Sequence, residues 1–477
     1  METLRPRVLI VEDEEDFVQE LMASISEVAG NVDIIVARCR DDACQLLGEQ
    51  FFDFAILDLN IPTQDGALDI SPDHGKYVFH HARLAAPGTK ILVLTGSPSD
   101  DFIADMLSQK HDADIWSQGA KVGTVEFLRK IDLIQVGGII GRALSAIHSL
   151  SEIELELVGV NLQTGEDRLV RIFAKKFGAA RCVVSLISPG RSGAVPFRLQ
   201  LFDVNGTPIQ VAVAKLASLV KVMDENARYE QHVVLLDPAS TPRKMVTLEF
   251  GAGATAGIFY QLADGYSQSL FATLGIDDAR SESAVNSAAT ALSRWAQGNA
   301  QVRQSIGTVR RSWLDDRIAG ELFASFNLEW APEFEAREVQ TRPCCVHGDL
   351  HGENILVSAE DRSVVIDYGD VRQGVASYDP VTLELSAVLQ TNPTLSDAWP
   401  TLEQCHSWND LDIYLVGSPA PRFVRACRAW GESRAAGRRE VAAAAYSYLL
   451  RQLKYEDTNK ERILALMAGV RAYMAAT

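Results

Sequence analysis

The chain has 477 residues, so more than one hydrophobic core is expected. Its net charge of −18 argues against bulk binding to nucleic acid or anionic membranes and leaves small-molecule partners open. The seven cysteines are scattered without CxxC spacing, which favours reduced, buried thiols over a metal site. No stretch has the pattern of a signal peptide or membrane span, so we expect a cytoplasmic protein.

Residues 7 to about 130 alternate short apolar runs with amphipathic stretches. This alternation predicts parallel strands joined by crossover helices. The predicted strands are Val8–Val11, Asp33–Val36, Phe54–Leu57 and Ile91–Leu94. Thr124–Ile131 is expected to begin the closing helix.

Residues 132–152 form a predicted linker helix with an apolar stripe. The stripe contains Ile139, Ile140, Leu144 and Ile147. It would pack within the chain or against a second copy, which leaves a homodimer through this helix or the N-terminal domain open.

From about residue 153 the pattern changes to strand-like runs, and after about 265 it is mostly helical. The first run, Glu154–Val160, alternates like an antiparallel strand. The other strand-like runs are Arg181–Ile187, Phe197–Asp203, Gln210–Lys215, Met245–Phe250 and Ile258–Leu262. A strand-rich lobe at 153–263 and a helical lobe at 264–477 follow the two-lobed plan of kinases.

Acidic residues end two of the N-terminal strands. Glu12 and Asp13 follow the first, and Asp58 ends the third. Functional groups gather at the carboxyl ends of parallel strands, and three carboxylates there repel one another unless a cation such as Mg²⁺ joins them. A metal-supported aspartate can attack a phosphoryl group, and Thr95 at another strand end would donate a hydrogen bond to it.

These residues, with Asp65-Gly66, resemble the receiver domain of two-component response regulators. The resemblance implies a doubly wound, flavodoxin-like α/β domain at 1–131 that a sensor histidine kinase or phosphotransfer protein phosphorylates. It makes Asp58 the phosphoacceptor, Glu12, Asp13, Asp58 and the Asn60 carbonyl the metal ligands, and Thr95 the switch hydroxyl. The family's lysine comes soon after the fifth strand, and we assign it to Lys121, with Trp116 as a switch or core aromatic residue.

A second motif begins at His347-Gly348-Asp349, continues to Asn354 and ends at Asp367. An acid, an amide and a second acid at this spacing fit ATP-dependent phosphoryl transfer, in which one carboxylate accepts the hydroxyl proton and the others hold Mg²⁺. The motif resembles the aminoglycoside and choline kinase-like phosphotransferases. By resemblance, Asp349 is the catalytic base, Asn354 and Asp367 bind Mg²⁺, His347 supports the loop, and Asp379 is a structural aspartate.

A kinase-like lobe must also hold the nucleotide. Gly190, Ser192 and Gly193 would let backbone N–H groups approach its phosphates, although a tight hairpin has the same composition. Lys215 ends a strand and would bridge two phosphates, paired with Glu225 or Glu230, of which Glu225 fits the group pattern better. Gln261 and Ala263 fall where adenine would dock.

The sequence therefore predicts a regulated phosphotransferase that uses ATP and Mg²⁺ and an undetermined hydroxyl acceptor, a small molecule being favoured over a protein. The lobes would form an α+β, two-lobed protein kinase-like fold. The alternative is a nucleotide-binding signalling scaffold with little turnover. No winged-helix pattern or basic stripe indicates a DNA-binding output.

Overall fold

The computed structural model describes residues 4–29, 31–96, 111–131, 133–187, 196–262, 265–266, 268–296, 300–390 and 399–477. The chain divides into two compact units. The first contains residues 1–223 and 244–262, and the second contains 224–243 and 263–477.

The first unit begins with a five-stranded parallel sheet in the order β2-β1-β3-β4-β7. Its strands are β1 (Arg7–Val11), β2 (Asp33–Ala37), β3 (Phe54–Asp58), β4 (Lys90–Thr95) and β7 (Val125–Arg129), and β5 (Asp112–Ala113) and β6 (Val122–Gly123) form a small hairpin. Its helices are α1 (Glu15–Val28), α2 (Arg40–Glu49), α3 (Pro72–Ala85) and α4 (Leu133–His148). This strand order is that of flavodoxin-like, doubly wound domains.

The end of this domain corrects two expectations. Val125–Arg129 is the fifth strand, not the start of a helix. The helix that closes the domain is α4, which occupies the predicted linker at 132–152. Its buried residues, among them Ile140 and Leu144, pack into the chain's own core, and Gly141 lies against Val28 of α1.

A second, six-stranded sheet has the order β12-β13-β11-β10-β9-β8. Its strands are β8 (Glu154–Val158), β9 (Arg181–Leu186), β10 (Phe197–Phe202), β11 (Pro208–Ser218), β12 (Arg243–Leu248) and β13 (Thr255–Leu262). Contrary to the antiparallel expectation, β8 runs parallel to β9, because helix α5 (Thr164–Lys176) crosses over between them. β10 pairs antiparallel with both β9 and β11.

The two sheets share one hydrophobic core. Phe54 and Ile56 of β3 are buried in the same cluster as Leu169 and Phe173 of α5. Phe173 stacks on Phe259 of β13 with ring centroids 4.2 Å apart. The predicted limits at 131 and 152 are therefore not breaks between compact units.

A buried ion pair also joins the two sheets. Arg168 of α5 places Nε 2.7 Å from Oδ1 of Asp53, and both side chains are almost fully buried. The Asp53 carboxylate also accepts a hydrogen bond of 2.8 Å from the Arg7 backbone N–H. Gly88 exchanges backbone hydrogen bonds of 2.8 Å with Gly251 and Gly253. These contacts give hydrogen-bond partners to the buried Asp53 and Arg168 side chains and to the Gly88 backbone.

The second unit is mainly helical, with short paired strands. Helix α6 (Leu219–His232) is divided between the units, and its residues from Asp224 onwards belong to the second unit. The other helices are α7 (Leu270–Leu274), α8 (Asp278–Ala291), α9 (Ile306–Arg311), α10 (Asp316–Ser325), α11 (Ala331–Glu335), α12 (Tyr378–Leu389), α13 (Leu402–His406), α14 (Leu411–Tyr414), α15 (Pro421–Arg434), α16 (Arg438–Gln452) and α17 (Lys460–Ala475). The strands are β14 (Gln268–Ser269), β15 (Val302–Ser305), β16 (Glu338–Thr341), β17 (Pro343–Val346), β18 (Ile355–Val357), β19 (Ser363–Val365) and β20 (Arg372–Val375). Among the described residues, no helix is both long and apolar enough to cross a bilayer.

The buried pair yields a stability prediction. Arg168→Ala should lower the free energy of unfolding by about 3–5 kcal/mol, because it leaves Asp53 buried without its cation. The matched control is Arg181→Ala, whose pair with Glu156 is largely exposed and should contribute less than about 1 kcal/mol. Urea unfolding followed by circular dichroism measures both, and equal losses would contradict the structural role of the buried pair.

Candidate functional site

The first candidate site lies at the carboxyl edge of the five-stranded sheet. β1 and β3 are parallel neighbours, so Glu12, Asp13 and Asp58 reach the same edge. One carboxylate oxygen from each lies within 4.8 Å of the others. Three hard oxygen donors at this separation fit Mg²⁺.

Among the described residues, the cation closest to these acids is Lys130, which was not predicted from the sequence. Its Nζ lies 2.8 Å from Oε2 of Glu12 and 2.9 Å from Oδ2 of Asp58. Lys121, our choice, is exposed before β6, so that assignment is corrected. The sequence feature that could have identified Lys130 is the run Val125–Arg129. Because this run is a strand of the same parallel sheet, the lysine that follows it lies at the same edge as Asp58.

Burial and mutual repulsion perturb the titration of these groups. Burial, together with the charge of Asp58, raises the pKa of Glu12 to about 7 although Lys130 opposes the shift. Burial likewise raises the pKa of Asp58, and Lys130 again opposes it. Burial alone would lower the pKa of Lys130, but hydrogen bonding to Glu12 and the charge of Asp58 raise it.

The other residues predicted for the receiver site differ in where they lie relative to this cluster. The Leu59 backbone N–H donates to Oδ1 of Asp58 at 2.7 Å, and the Asn60 backbone also hydrogen-bonds to that carboxylate. The ligand role of the Asn60 carbonyl stays a prediction. β4 ends at Thr95, whose side chain lies outside the described part of the structure. Trp116 is buried in the core shared by the two sheets.

The second candidate site is the loop that follows β17. Asp379 holds this loop, since its carboxylate accepts backbone hydrogen bonds from His347 at 2.8 Å and Gly348 at 3.0 Å. The ring of His347 reaches the Ile366 carbonyl at 3.0 Å. Gly348 has a φ of +84°, and a Cβ there would lie 2.5 Å from the Asp370 carbonyl oxygen. The glycine of the motif is therefore required by backbone conformation and space.

The antiparallel hairpin of β18 and β19 brings the two predicted metal ligands together. Asn354 precedes β18 and Asp367 follows β19, so both lie at the same end of the hairpin. The Asn354 side-chain Nδ2 donates to the Asp349 carbonyl at 2.9 Å, which leaves its Oδ1 available to a cation. Asp367 has a left-handed backbone (φ 66°), a strained conformation that such sites often hold.

The Asp349 side chain is partly exposed, so its carboxylate is accessible from outside the core. His351 lies beside it, with Nε2 3.7 Å from Oδ2. Burial lowers the pKa of His351 in spite of the neighbouring carboxylates of Asp349 and Asp367. A neutral imidazole leaves the Asp349 carboxylate free to accept a proton.

The helix that carries Glu225 packs against the Asp367 loop. Arg228 donates to the Val371 carbonyl at 3.2 Å, and Tyr229 meets Tyr368 edge-on with ring centroids 6.5 Å apart. Glu225 itself is 3% exposed. This packing ties the position of α6 to the loop that would bind the metal.

The other residues predicted to bind the nucleotide lie in different parts of the chain. Lys215 lies half-buried on β11 in the first unit, opposite Ile258, whereas Glu225 belongs to the second unit, so their pairing stays a prediction. Gln261 is exposed on β13. Gly190, Ser192, Gly193 and Ala263 lie outside the described residues.

Comparison with known proteins supports the predicted resemblance of both parts of the chain. A model of the phosphotransferase enzyme family (APH) matches residues 275–397, which include the whole second site. A search of curated proteins gave no match.

Solved receiver domains resemble the N-terminal part. One from an HD domain-containing protein of Pseudomonas fluorescens Pf-5 is 24% identical, over 31% of this chain and 99% of that one, with a TM-score of 0.23. Another, from Methanospirillum hungatei JF-1, is 17% identical over 29% and 97%, with a TM-score of 0.22. The sheet order and the acid cluster, rather than these low scores, identify the fold. Both predicted resemblances and the fold class are thus confirmed.

The raised pKa of Glu12 predicts pH-dependent metal binding. Below pH about 7, Glu12 becomes protonated in the metal-free protein and no longer offers a carboxylate, so Mg²⁺ affinity should fall by up to about tenfold per pH unit. Calorimetric titration without nucleotide measures this. Glu12→Gln should lose the pH step, whereas the control Glu20→Gln, on the exposed face of α1, should keep it. An affinity of the unaltered protein that is constant across pH 7 would refute this role for Glu12.

Proposed function

We propose that the chain is a two-component signalling protein that transfers the γ-phosphoryl group of ATP to a hydroxyl acceptor under the control of Asp58 phosphorylation. The observation that carries the enzymatic part is the arrangement of Asp349, Asn354 and Asp367. This proposal is supported by the hydrogen bonds that hold the loop and by the hairpin that places Asn354 and Asp367 at the same end. Such preorganisation is what phosphoryl transfer requires, because its catalysis is mainly positioning and charge stabilisation.

The proposed transfer assigns one task to each residue. The Asp349 carboxylate accepts the proton of the acceptor hydroxyl as its oxygen forms a bond to the γ-phosphorus. The bond from the γ-phosphorus to the bridging oxygen breaks, and its electron pair leaves with ADP. Asn354 and Asp367 would hold Mg²⁺, which offsets the phosphate charge. Lys215 would hold the phosphates from the small lobe.

The first site would receive the signal. The Asp58 carboxylate would attack the phosphorus of a phosphohistidine on a sensor histidine kinase or phosphotransfer protein. The P–N bond breaks, the imidazole leaves with its electron pair, and Asp58 becomes an acyl phosphate. Glu12 and Asp13 would hold the Mg²⁺ that screens the incoming charge. Lys130, already within 2.9 Å of Asp58, is placed to bind the new phosphoryl oxygens in place of its present carboxylate contacts.

Continuous packing within the first unit supports the proposed control. β3 carries Asp58 at one end, and its core residue Phe54 lies in the same cluster as Phe173. Phe173 stacks on Phe259, which pairs with Ala214, the residue before Lys215. A change around Asp58 would therefore have a packed route to the strand that carries Lys215.

The enzymatic part predicts the effect of removing the base. Asp349→Asn should reduce ATP-dependent transfer by about 10²–10⁴-fold, because the acceptor loses its proton acceptor. Release of ADP and labelled product measures it. The control Asp412→Asn removes an exposed carboxylate of the same unit and should leave the rate unchanged. Equal background rates for unaltered protein and Asp349→Asn would favour the signalling scaffold.

The regulatory part predicts a dependence on Asp58. Addition of acetyl phosphate should change the turnover rate by about fivefold or more in the unaltered protein, a typical coupling between sites. Asp58→Ala should abolish this response, whereas Asp65→Ala, in the exposed loop after β3, should retain it. If Asp58→Ala responds to acetyl phosphate like the unaltered protein, control through Asp58 is wrong.

A further inference from the structure

Arg451, near the end of α16, reaches the loop that carries the proposed base. Its Nη1 lies 3.4 Å from the carbonyl oxygen of Gly348, the residue before Asp349. The guanidinium group offers several N–H donors, and this long hydrogen bond uses only one of them. Arg451 also hydrogen-bonds to the Tyr378 hydroxyl, but no carboxylate among the described residues forms a salt bridge with it, so further donors of the guanidinium remain available to a ligand.

The charges around Arg451 keep it protonated. Burial alone would lower its pKa, but the neighbouring Tyr378, Asp349 and Asp370 raise it. A partly buried arginine that stays charged and lacks a bound anion is costly to maintain as a purely structural residue. Because Arg451 lies beside the proposed base, a substrate is in a position to supply the missing anionic partner.

Other buried donors near the same loop also lack partners among the described residues. They are the indole N–H of Trp313 and, in the tautomer that protonates it, Nδ1 of His351. Trp313 stacks on Tyr378 at a centroid distance of 3.6 Å, and its ring lies against Gly348. Buried polar groups are normally hydrogen-bonded, so a cluster of unpartnered donors indicates a place for a ligand rich in acceptor oxygens.

The position of Arg451 favours a contact with the acceptor substrate over a contact with the nucleotide. The proposed metal ligands, Asn354 and Asp367, come after Asp349 on the hairpin, where the nucleotide phosphates would bind. Arg451 instead contacts the residue that precedes Asp349. An acceptor whose hydroxyl points at Asp349 would bring its neighbouring substituent towards this guanidinium.

We propose that Arg451 binds an anionic group of the acceptor, so that the substrate is a small hydroxyl compound bearing a carboxylate or a phosphate. This inference rests on the proposed phosphotransferase function and specifies the acceptor for the same site. Arg451 forms no covalent bond in the reaction. It contributes charge-assisted hydrogen bonds, which an arginine makes in pairs to carboxylate or phosphate oxygens.

A matched set of three-carbon acceptors tests the proposal. Glycerate carries a carboxylate, glycerol phosphate a phosphate, glycerol no charge, and aminopropanediol a cation. The unaltered protein should phosphorylate one or both anionic compounds with kcat/KM at least about tenfold above the others. The preferred anion identifies whether the carboxylate or the phosphate is the recognised group.

Arg451→Gln separates recognition from catalysis. It should raise KM for the anionic acceptors by about tenfold or more and change kcat little, because the lost contact is present before and during the reaction. Arg451→Lys should restore part of the affinity. Arg439→Gln, on an exposed position of the same helix, is the control and should behave like the unaltered protein.

Two results would overturn the inference while leaving the phosphotransferase intact. One is a preference of the unaltered protein for glycerol or aminopropanediol. The other is an equal loss of kcat for all acceptors in Arg451→Gln, which would make Arg451 a positioning residue for Asp349. If no acceptor is phosphorylated, calorimetric binding of glycerate and glycerol phosphate still decides the matter, and the absence of binding to the unaltered protein overturns the proposal.

Discussion

The hydrophobic core shared by the five-stranded and six-stranded sheets is the constraint on which the first unit depends. Helix α5 lies in this core, where Phe173 stacks on Phe259 and Arg168 meets the buried carboxylate of Asp53. Separating the two sheets would expose these apolar residues and leave two charges unpaired, both of which are unfavourable. A signal that begins at Asp58 is therefore expected to travel as a change of packing within one unit, and not as the release of one domain from another.

In the second unit the main constraint is the conformation of the loop that carries Asp349, the proposed base. Asp379 binds two backbone N–H groups of the loop, Gly348 allows the loop to approach the Asp370 carbonyl, and Asp367 accepts a left-handed conformation. The surrounding hydrogen bonds offset the strain of that conformation. Arg228 and Tyr229 extend the same packing to the helix that carries Glu225, so the Asp367 loop and this helix are expected to move together.

The sequence predicted those features that depend on local patterns. Asp349, Asn354 and Asp367 lie within one short segment, and the apolar runs around Ile10 and Ile56 are strands because they are buried on both faces. Lys130 was missed because Val125–Arg129, with three apolar residues among five, is too short to distinguish strand from helix by its period. The shared core could not be foreseen, since apolar residues that face another sheet have the same composition as those in any core. Arg451 is distant in sequence from Asp349, so only the fold reveals that it reaches the loop.

Hydrogen exchange measured with and without beryllofluoride, which mimics a phosphoryl group on Asp58, tests most directly whether the shared core links the two sheets. The account predicts altered exchange in β11 and β13, the strands that include Lys215 and Phe259, in addition to changes around Asp58. The same strands should not respond in Asp58→Ala. Exchange that changes only within the five-stranded domain, with β11 and β13 unaffected, would contradict the claim that phosphorylation reaches these two strands through this core.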